Sequence, residues 1–226
     1  MKYKAIIFDL FGTLVDIIPQ QEKDEVFRQM AAVLKAPPEE LMRQWAETYD
    51  RRIKGGFKDY AENIKHMCRQ MGIPFEDKQV EYAAGLRIEL EKTELTPRKD
   101  AVEVLTHLKS QGYMTCLISD CSLMVPSVWP DTPFAGLIDV TVFSCSLKLR
   151  KPHPEFYRLA VEQLAVEPEE CLYIADGMSG ELAGALKTGM QAVKIQTPKD
   201  DVNNPYREEW DGTVISSLQE VLILLE

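Results

Sequence analysis

The chain has 226 residues, of which 45% are hydrophobic and 27% are charged, and its formal net charge is −10. This acidic balance argues against nucleic acid and anionic membranes as partners, because both attract clusters of Lys and Arg. No apolar run approaches the roughly 20 residues of a membrane span, and no signal segment is recognisable, so we expect a cytoplasmic protein.

The first predicted element is a strand near the start of the chain. Residues 5–8 form the continuous apolar run AIIF, which is typical of a strand covered by helices on both faces. Asp9 follows directly, and Gly12 permits a chain reversal that a residue with a side chain resists. Because ligands bind at the carboxyl ends of strands in open α/β sheets, Asp9 is a candidate catalytic residue, with the hydroxyl of Thr13 nearby.

The pattern then becomes helical and stays so to Glu94. Apolar residues recur at helical spacing in four segments separated by turn residues, at 20–34, 39–54, 57–71 and 77–91. No strand is predicted between Asp16 and Glu94. The sequence therefore predicts an all-helical subdomain at 17–94, inserted into an α/β core formed by 1–16 and 95–226.

Beyond the helical segment, predicted strands alternate with predicted helices. A helix is expected to start at Thr96 and Pro97, with Thr96 as N-cap and Pro97 at the first helical position. Strands are predicted at 113–118, 137–143, 171–175, 191–195 and, at the edge of the sheet, 212–215. Helices are predicted at 154–164, 180–187 and 218–225. This alternation predicts a parallel, doubly wound α/β sheet.

Further polar residues stand at the ends of the later strands and before one helix. Ser119 and Asp120 follow the apolar run CLI, and Asp176 follows CLYIA, with Glu181 five residues later. Lys151, in RKPHPEFYRLA, precedes a helix that begins at a proline. Taken singly, such residues are common, and Glu181 also fits a solvated residue that complements the dipole of a helix start. Their order along the chain makes them informative.

Four segments, in this order, resemble the motifs of the haloacid dehalogenase (HAD) superfamily. DLFGTLVD is similar to the first motif, whose Asp is a nucleophile, and CLIS is similar to the second, which ends in Ser or Thr. RKPHP resembles the KPDP segment apart from His153. ADGMSGE resembles the GDxxxxD pattern, with Ala175 in place of Gly and Glu181 in place of the second Asp. The resemblance implies a Rossmann-like core that carries a helical cap between the first two motifs.

The resemblance also implies roles for individual residues. The implied catalytic residues are Asp9, Ser119, Lys151 and Asp176. The implied substrate-binding residues are Thr13, Ser119, Asp120, Lys151 and, on the cap, Arg43. A Mg²⁺ ion would be held by Asp9, the carbonyl of Phe11 and Asp176, with Glu181 in an outer position that orients water or the loop.

Phe11 is the main departure from the common phosphatase motif, DxDGT, which has a second Asp at this position. Phe11 cannot transfer a proton, and general acid–base catalysis typically contributes about 10²–10⁴-fold. Its carbonyl can still bind Mg²⁺. We therefore predict a Mg²⁺-dependent phosphatase of a small phosphorylated metabolite that works through an aspartyl-phosphate and is slow or uses good leaving groups.

An aromatic residue at position 11 also resembles the 2-haloacid dehalogenases, which show DxYGTL and need no metal. Arg43, in LMRQWAETY, resembles the cap arginine of that family. In the fourth motif, however, dehalogenases carry Ser-Ser-Asn where this chain has Ala-Asp-Gly, and they carry Asn where this chain has Asp120. The phosphatase is therefore favoured, and a halogenated acid is the alternative substrate.

A third alternative is a HAD-fold protein that binds a ligand or regulates a partner with little or no turnover. The loss of the second Asp motivates this alternative, whereas the joint presence of Asp9, Ser119, Lys151 and Asp176 argues against it. A monomer and a homodimer are both compatible with the sequence.

Overall fold

A six-stranded parallel sheet forms the centre of the computed structural model, which describes residues 2–197 and 207–225. The strands are β1 (Ala5–Phe8), β2 (Met114–Ser119), β3 (Val140–Phe143), β4 (Cys171–Ala175), β5 (Gln191–Ile195) and β6 (Val214–Ile215). Their order across the sheet is β3-β2-β1-β4-β5-β6, and every neighbouring pair is parallel. The predicted doubly wound α/β fold is confirmed.

Five helices follow β1 in the segment 17–94, where the sequence predicts only helices. They are α1 (Gln20–Leu34), α2 (Pro38–Glu47), α3 (Tyr49–Ile53), α4 (Tyr60–Gln70) and α5 (Asp77–Glu94). These helices form a hydrophobic cluster of their own, centred on residues such as Met30, Ile64 and Val80. The helical insertion is thus confirmed, while its boundaries at 17 and 94 stay a prediction. Hereafter it is called the cap.

Six further helices belong to the core. They are α6 (Ala101–Ser110), α7 (Met124–Val128), α8 (Ser144–Leu147), α9 (Pro154–Leu164), α10 (Glu181–Lys187) and α11 (Gln219–Ile223). No helix among the described residues is long and apolar enough to span a bilayer.

Strand β1 shows why its sequence is continuously apolar. Ile6 and Phe8 point into a hydrophobic cluster with α6 and α11, whereas Ala5 and Ile7 point into a second cluster with α9 and α10. All four side chains are fully buried. A strand that is covered on both faces needs apolar residues at every position, not only at alternate ones.

Two predicted helices differ from the observed ones by more than a few terminal residues. The segment 39–54 is two helices, α2 and α3, and the Oγ1 of Thr48 between them donates to the carbonyl of Gln44. The helix expected to start at Thr96 and Pro97 begins only at Ala101. This prediction was wrong because Pro97 instead pairs with Val15 in an isolated antiparallel bridge as the chain returns from the cap.

Candidate active site

The carboxyl ends of the central strands bring the predicted residues together. Asp9 follows β1, Ser119 ends β2, and Asp176 follows β4. Since β1 lies between β2 and β4 and all three are parallel, these residues meet at the carboxyl-terminal edge of the sheet, where the central strands end. Asp9 and Asp176 are almost completely buried, and Ser119 is fully buried.

Lys151 lies between two of the acidic side chains. Its Nζ is 2.5 Å from Asp9 Oδ1 and 2.5 Å from Glu181 Oε2, and the residue is only 4% exposed. Its backbone N–H donates to Asp120 Oδ1 at 3.0 Å. Burial disfavours the charge on Lys151, but the negative charges of Asp9, Glu181 and Asp120 outweigh this effect and raise its pKa well above the usual value. The ammonium therefore stays charged beside the candidate nucleophile.

Glu181 is the first residue of α10, but it is not a solvated helix-start residue. It is 1% exposed, and its carboxylate accepts four hydrogen bonds from other described residues. Besides Lys151, its Oε2 accepts from the Tyr173 hydroxyl at 3.0 Å, and its Oε1 accepts from the N–H groups of Gly177 and Met178 at 3.1 and 3.2 Å. The solvated alternative was wrong, and Glu181 instead fixes the loop that carries Asp176.

Asp9, Asp176 and Glu181 form a buried cluster of carboxylates. One oxygen from each lies within 4.8 Å of the others. Burial raises the pKa of Asp9 and of Glu181 to about 7, against the effect of Lys151. Burial and the charge of Asp9 raise the pKa of Asp176 to about 6. A divalent cation with oxygen ligands would relieve this repulsion, so the donor set fits Mg²⁺.

Gly12 allows the loop after β1 to approach the carboxylate of Asp176. Its φ is +84°, a region that favours glycine. A Cβ at this position would lie 2.4 Å from Asp176 Oδ2. The close packing of the turn GTL against Asp176, a predicted metal ligand, therefore requires a glycine at position 12.

Two hydroxyl groups at the site are suited to an anion. Thr13 and Ser119 are both fully buried. Neither Thr13 Oγ1 nor Ser119 Oγ has a hydrogen-bond partner among residues 2–197 and 207–225. Because buried polar groups are normally satisfied, these donors fit the phosphoryl oxygens or carboxylate of a substrate.

Arg207 is a site residue that the sequence does not reveal. Its guanidinium donates to the carbonyl of Asp176 at 3.2 Å and to Asp176 Oδ2 at 3.4 Å. Its neighbour Glu208 accepts hydrogen bonds from the N–H groups of Leu182 and Ala183, in the first turn of α10. No motif marks Arg207, because its contact with Asp176 is a tertiary one between residues 31 positions apart.

Arg150 connects the cap with the core next to Lys151. Its Nη1 is 3.4 Å from Asp50 Oδ1 on α3, and its Nε is 3.7 Å from Asp120 Oδ2. Its Nη2 also donates to Ser179 Oγ at 3.4 Å. The only sequence signal for this residue is its place directly before Lys151.

Arg43 is not brought to the site. Its side chain is 55% exposed and forms ion pairs with Glu40 and Glu47 along its own helix, α2. The structure therefore gives no support to the substrate-binding role that the sequence resemblance implies. Phe11 lies two residues after Asp9 and packs partly buried against the core, and its carbonyl as a metal ligand stays a prediction.

A family model for haloacid dehalogenase-like hydrolases matches residues 3–187. The chain belongs to the haloacid dehalogenase-like hydrolases. This membership agrees with the order of the four motifs and with the cap between β1 and β2. It establishes a hydrolase family without deciding between phosphate esters and halogenated acids.

Similar proteins of this family include both kinds of enzyme. Hexitol phosphatase A of Escherichia coli is 28% identical over 99% of this chain and 95% of its own length. The (S)-2-haloacid dehalogenase 4A of Burkholderia cepacia is 26% identical over 85% of this chain and 82% of its own length. The structure of a HAD-family enzyme from Bacteroides thetaiotaomicron, in complex with magnesium and inorganic phosphate, superposes with a TM-score of 0.67. It is 19% identical and covers 91% of this chain and 100% of that one.

Proposed function

We propose that this HAD-like hydrolase is a Mg²⁺-dependent phosphatase that acts on a small phosphorylated metabolite through an aspartyl-phosphate at Asp9. The observation that carries the proposal is the buried cluster of Asp9, Asp176 and Glu181 with Lys151 at its side. A cluster of three carboxylates suits a divalent cation, and a cation suits a phosphate ester. A haloacid dehalogenase needs neither the metal ion nor the cluster of carboxylates that binds it.

The residues of the chain supply the steps of phosphoryl transfer. A carboxylate oxygen of Asp9 attacks phosphorus, and the ester oxygen leaves. The Lys151 ammonium, 2.5 Å from Asp9 Oδ1, offsets negative charge as the phosphoryl group approaches. The buried hydroxyls of Thr13 and Ser119 are free to donate to the phosphoryl oxygens. Water then attacks the phosphorus of the aspartyl-phosphate and releases inorganic phosphate and Asp9.

Mg²⁺ would be held by Asp9, Asp176 and the carbonyl of Phe11. Bound there, it would neutralise charge on the phosphoryl oxygens. Glu181 has both oxygens in hydrogen bonds to Lys151, Tyr173 and backbone N–H groups, so it orients the surrounding residues. Arg207 donates hydrogen bonds to the carbonyl and to Oδ2 of Asp176 and so helps to hold that side chain in place.

Haloacid dehalogenation is the second candidate function, favoured by the aromatic residue at position 11 and by the dehalogenase relative from Burkholderia cepacia. Its substrate carries a carboxylate. Asp120 and Asp176 would then place negative charge next to an anionic substrate, while the Lys151 ammonium is already paired with Asp9 and Glu181. For this reason we rank dehalogenation below phosphatase activity.

One assay separates the two functions. p-Nitrophenyl phosphate and 2-chloropropionate are each incubated with the protein in Mg²⁺ and in EDTA, and phosphate and chloride release are measured. We expect phosphate release that requires Mg²⁺ and is lost in Asp9→Asn. Chloride release that persists in EDTA and is lost in Asp9→Asn would overturn the phosphatase proposal. No turnover of a broad panel of phosphate esters would favour a binding protein.

A further inference from the structure

The site lacks an acid at the position where the common HAD phosphatase motif has one. When Asp9 displaces an alkyl alcohol from phosphorus, the leaving oxygen needs a proton, because an alkoxide is a poor leaving group. Phe11 cannot supply it. Another residue of the chain must do so if the enzyme is to hydrolyse the phosphate esters of sugars or alcohols.

The carboxylates of the metal cluster are poorly placed to give up a proton. Both oxygens of Glu181 accept hydrogen bonds. Asp176 accepts from the N–H of Met178 at 3.1 Å and from Arg207 at 3.4 Å, and it is a proposed metal ligand. Asp9 is the nucleophile. A metal ligand or a nucleophile must be ionised to work, so Asp176 and Asp9 are excluded as the acid, and the oxygens of Glu181 are already engaged as acceptors.

Asp120 has the properties that these residues lack. Its Oδ1 accepts the backbone N–H of Lys151 at 3.0 Å, which fixes the carboxyl group next to the site. Its Oδ2 is buried and has no hydrogen-bond partner within the described parts of the chain. Arg150 Nε lies 3.7 Å away, beyond hydrogen-bond distance. Burial raises the pKa of Asp120 despite the nearby charges of Lys151 and Arg150, a shift in the direction that favours a proton on this carboxyl group.

Asp120 also lies on the side of the site where the cap contacts the core. In phosphoryl transfer, the attacking and leaving oxygens are roughly in line, so the leaving oxygen lies on the side of phosphorus opposite Asp9. Asp9 follows β1 at the carboxyl end of the sheet, and α3 of the cap contacts the core beside Asp120. Arg150 connects Asp120 to Asp50 on α3 of the cap, and its guanidinium lies 5.7 Å from the centre of the Tyr49 ring. Asp120 thus stands where core and cap meet.

We propose that Asp120 is the proton donor to the leaving group, an assignment that rests on the proposed phosphatase function. As the bond between phosphorus and the leaving oxygen breaks, that oxygen takes the proton from Asp120 and departs as an alcohol. Asp120, now ionised, accepts a proton from the water that attacks the aspartyl-phosphate. The bond between phosphorus and Asp9 then breaks, and the acid and the nucleophile are both regenerated.

The test compares two classes of leaving group in Asp120→Asn. Asn keeps an oxygen that can accept from Lys151 N–H but has no proton to give. p-Nitrophenol leaves without a proton, whereas the alcohol of an alditol or sugar phosphate does not. Release of each is followed with enzyme in excess, so that only the first step is measured. We expect a loss of about 10²-fold or more for the alkyl ester and much less than tenfold for p-nitrophenyl phosphate.

The matched control is Asp50→Asn, which removes the other carboxylate near Arg150. Asp50 is on the cap and its side chain is 57% exposed. We expect it to leave the ratio of the two rates unchanged. The unfolding midpoints of both variants are measured beside wild type, and Asp120→Ser provides the same ratio if the Asn variant does not fold.

Three results would overturn the assignment. An equal loss for both esters in Asp120→Asn would mean that Asp120 only positions Lys151. A wild-type enzyme that hydrolyses p-nitrophenyl phosphate but no alkyl phosphate would have no working donor. If wild type releases phosphate from neither class, the phosphatase function itself fails, and this outcome is distinct from the other two.

Discussion

At the scale of single residues, Gly12 determines how closely two catalytic loops approach. Gly12→Ala adds a Cβ at φ +84° that would lie 2.4 Å from Asp176 Oδ2. We expect the free energy of unfolding to fall by about 1–3 kcal/mol from backbone strain, and by more from the clash. Urea unfolding monitored by tryptophan fluorescence measures the change.

Gly112 provides a matched control for this substitution. Its φ is +82°, and a Cβ there would meet nothing within 4 Å. Gly112→Ala therefore reports the backbone strain alone, and the difference between the two variants reports the clash with Asp176. Equal losses in the two variants would contradict the close approach at Gly12.

The residue scale also shows what a sequence can reveal about this site. Asp9, Ser119, Lys151 and Asp176 stand at recognisable places in motifs, and the structure brings all four to one edge of the sheet. Their catalytic roles stay predictions. Arg207 could not be found in this way, because its contact with Asp176 joins residues 31 positions apart and no motif marks it.

At the scale of elements, a buried polar contact joins the cap to the core. The Tyr60 hydroxyl on α4 is hydrogen-bonded to the carboxylate of Glu91 on α5, and it lies 2.9 Å from Ser122 Oγ in the core. Ser122 Oγ also donates to Glu91 Oε1 at 3.1 Å. Burial raises the pKa of Glu91, against the effect of Arg87. Two helices of the cap, α4 and α5, are thereby connected to the loop after β2.

Tyr60→Phe tests this contact. The substitution removes one hydroxyl from a buried carboxylate, so we expect the free energy of unfolding to fall by about 1–3 kcal/mol. Tyr82→Phe, on α5 and 62% exposed, is the control and should have almost no effect. Urea titrations of the two variants beside wild type measure the difference. Similar stabilities of Tyr60→Phe and Tyr82→Phe would show that the buried contact contributes nothing.

The elements that sequence reasoning predicts best are those with local signals. The predicted bounds of α1, α9, β4 and β5 agree with the structure because periodic or continuous apolar residues and turn residues mark both ends. The predicted helix start at Thr96 was wrong because Pro97 pairs with Val15, a residue far away in the sequence, and this contact outweighs the local capping preference. Capping preferences are worth only about 1 kcal/mol, so tertiary contacts override them.

At the scale of the whole molecule, the sheet order concentrates acidic groups at one place. The alternation of strands and helices predicts a parallel sheet, but it does not fix the order that puts β1 between β2 and β4. That order places Asp9 and Asp176 side by side. Without a cation, folding therefore brings carboxylates together in a buried environment, and their pKa values rise.

This arrangement predicts how pH and Mg²⁺ act together on stability. The folded-state pKa values of Asp9 and Asp176, about 7 and about 6, lie above the usual value of 3.8. Between the unfolded-state and folded-state pKa values, each group therefore takes up a proton on folding. The stability that this proton uptake contributes is present below the unfolded-state pKa and is lost as the pH rises through the folded-state pKa. Mg²⁺ requires the ionised carboxylates, so protons compete with it. The stabilisation by Mg²⁺ should therefore grow as pH rises from 6 to 8.

The measurement is the shift in melting temperature between Mg²⁺ and EDTA at pH 6, 7 and 8. A ligand that binds only the folded state stabilises it by RT ln(1 + [L]/Kd), so a tighter Kd at higher pH produces a larger shift. Asp176→Asn removes a proposed ligand and should reduce the shift at every pH. Glu89→Gln, an exposed acidic residue on α5, should leave it unchanged. A shift in melting temperature that is equal at pH 6 and pH 8 would contradict metal binding by the buried carboxylates. So would a shift that is as large in Asp176→Asn as in wild type.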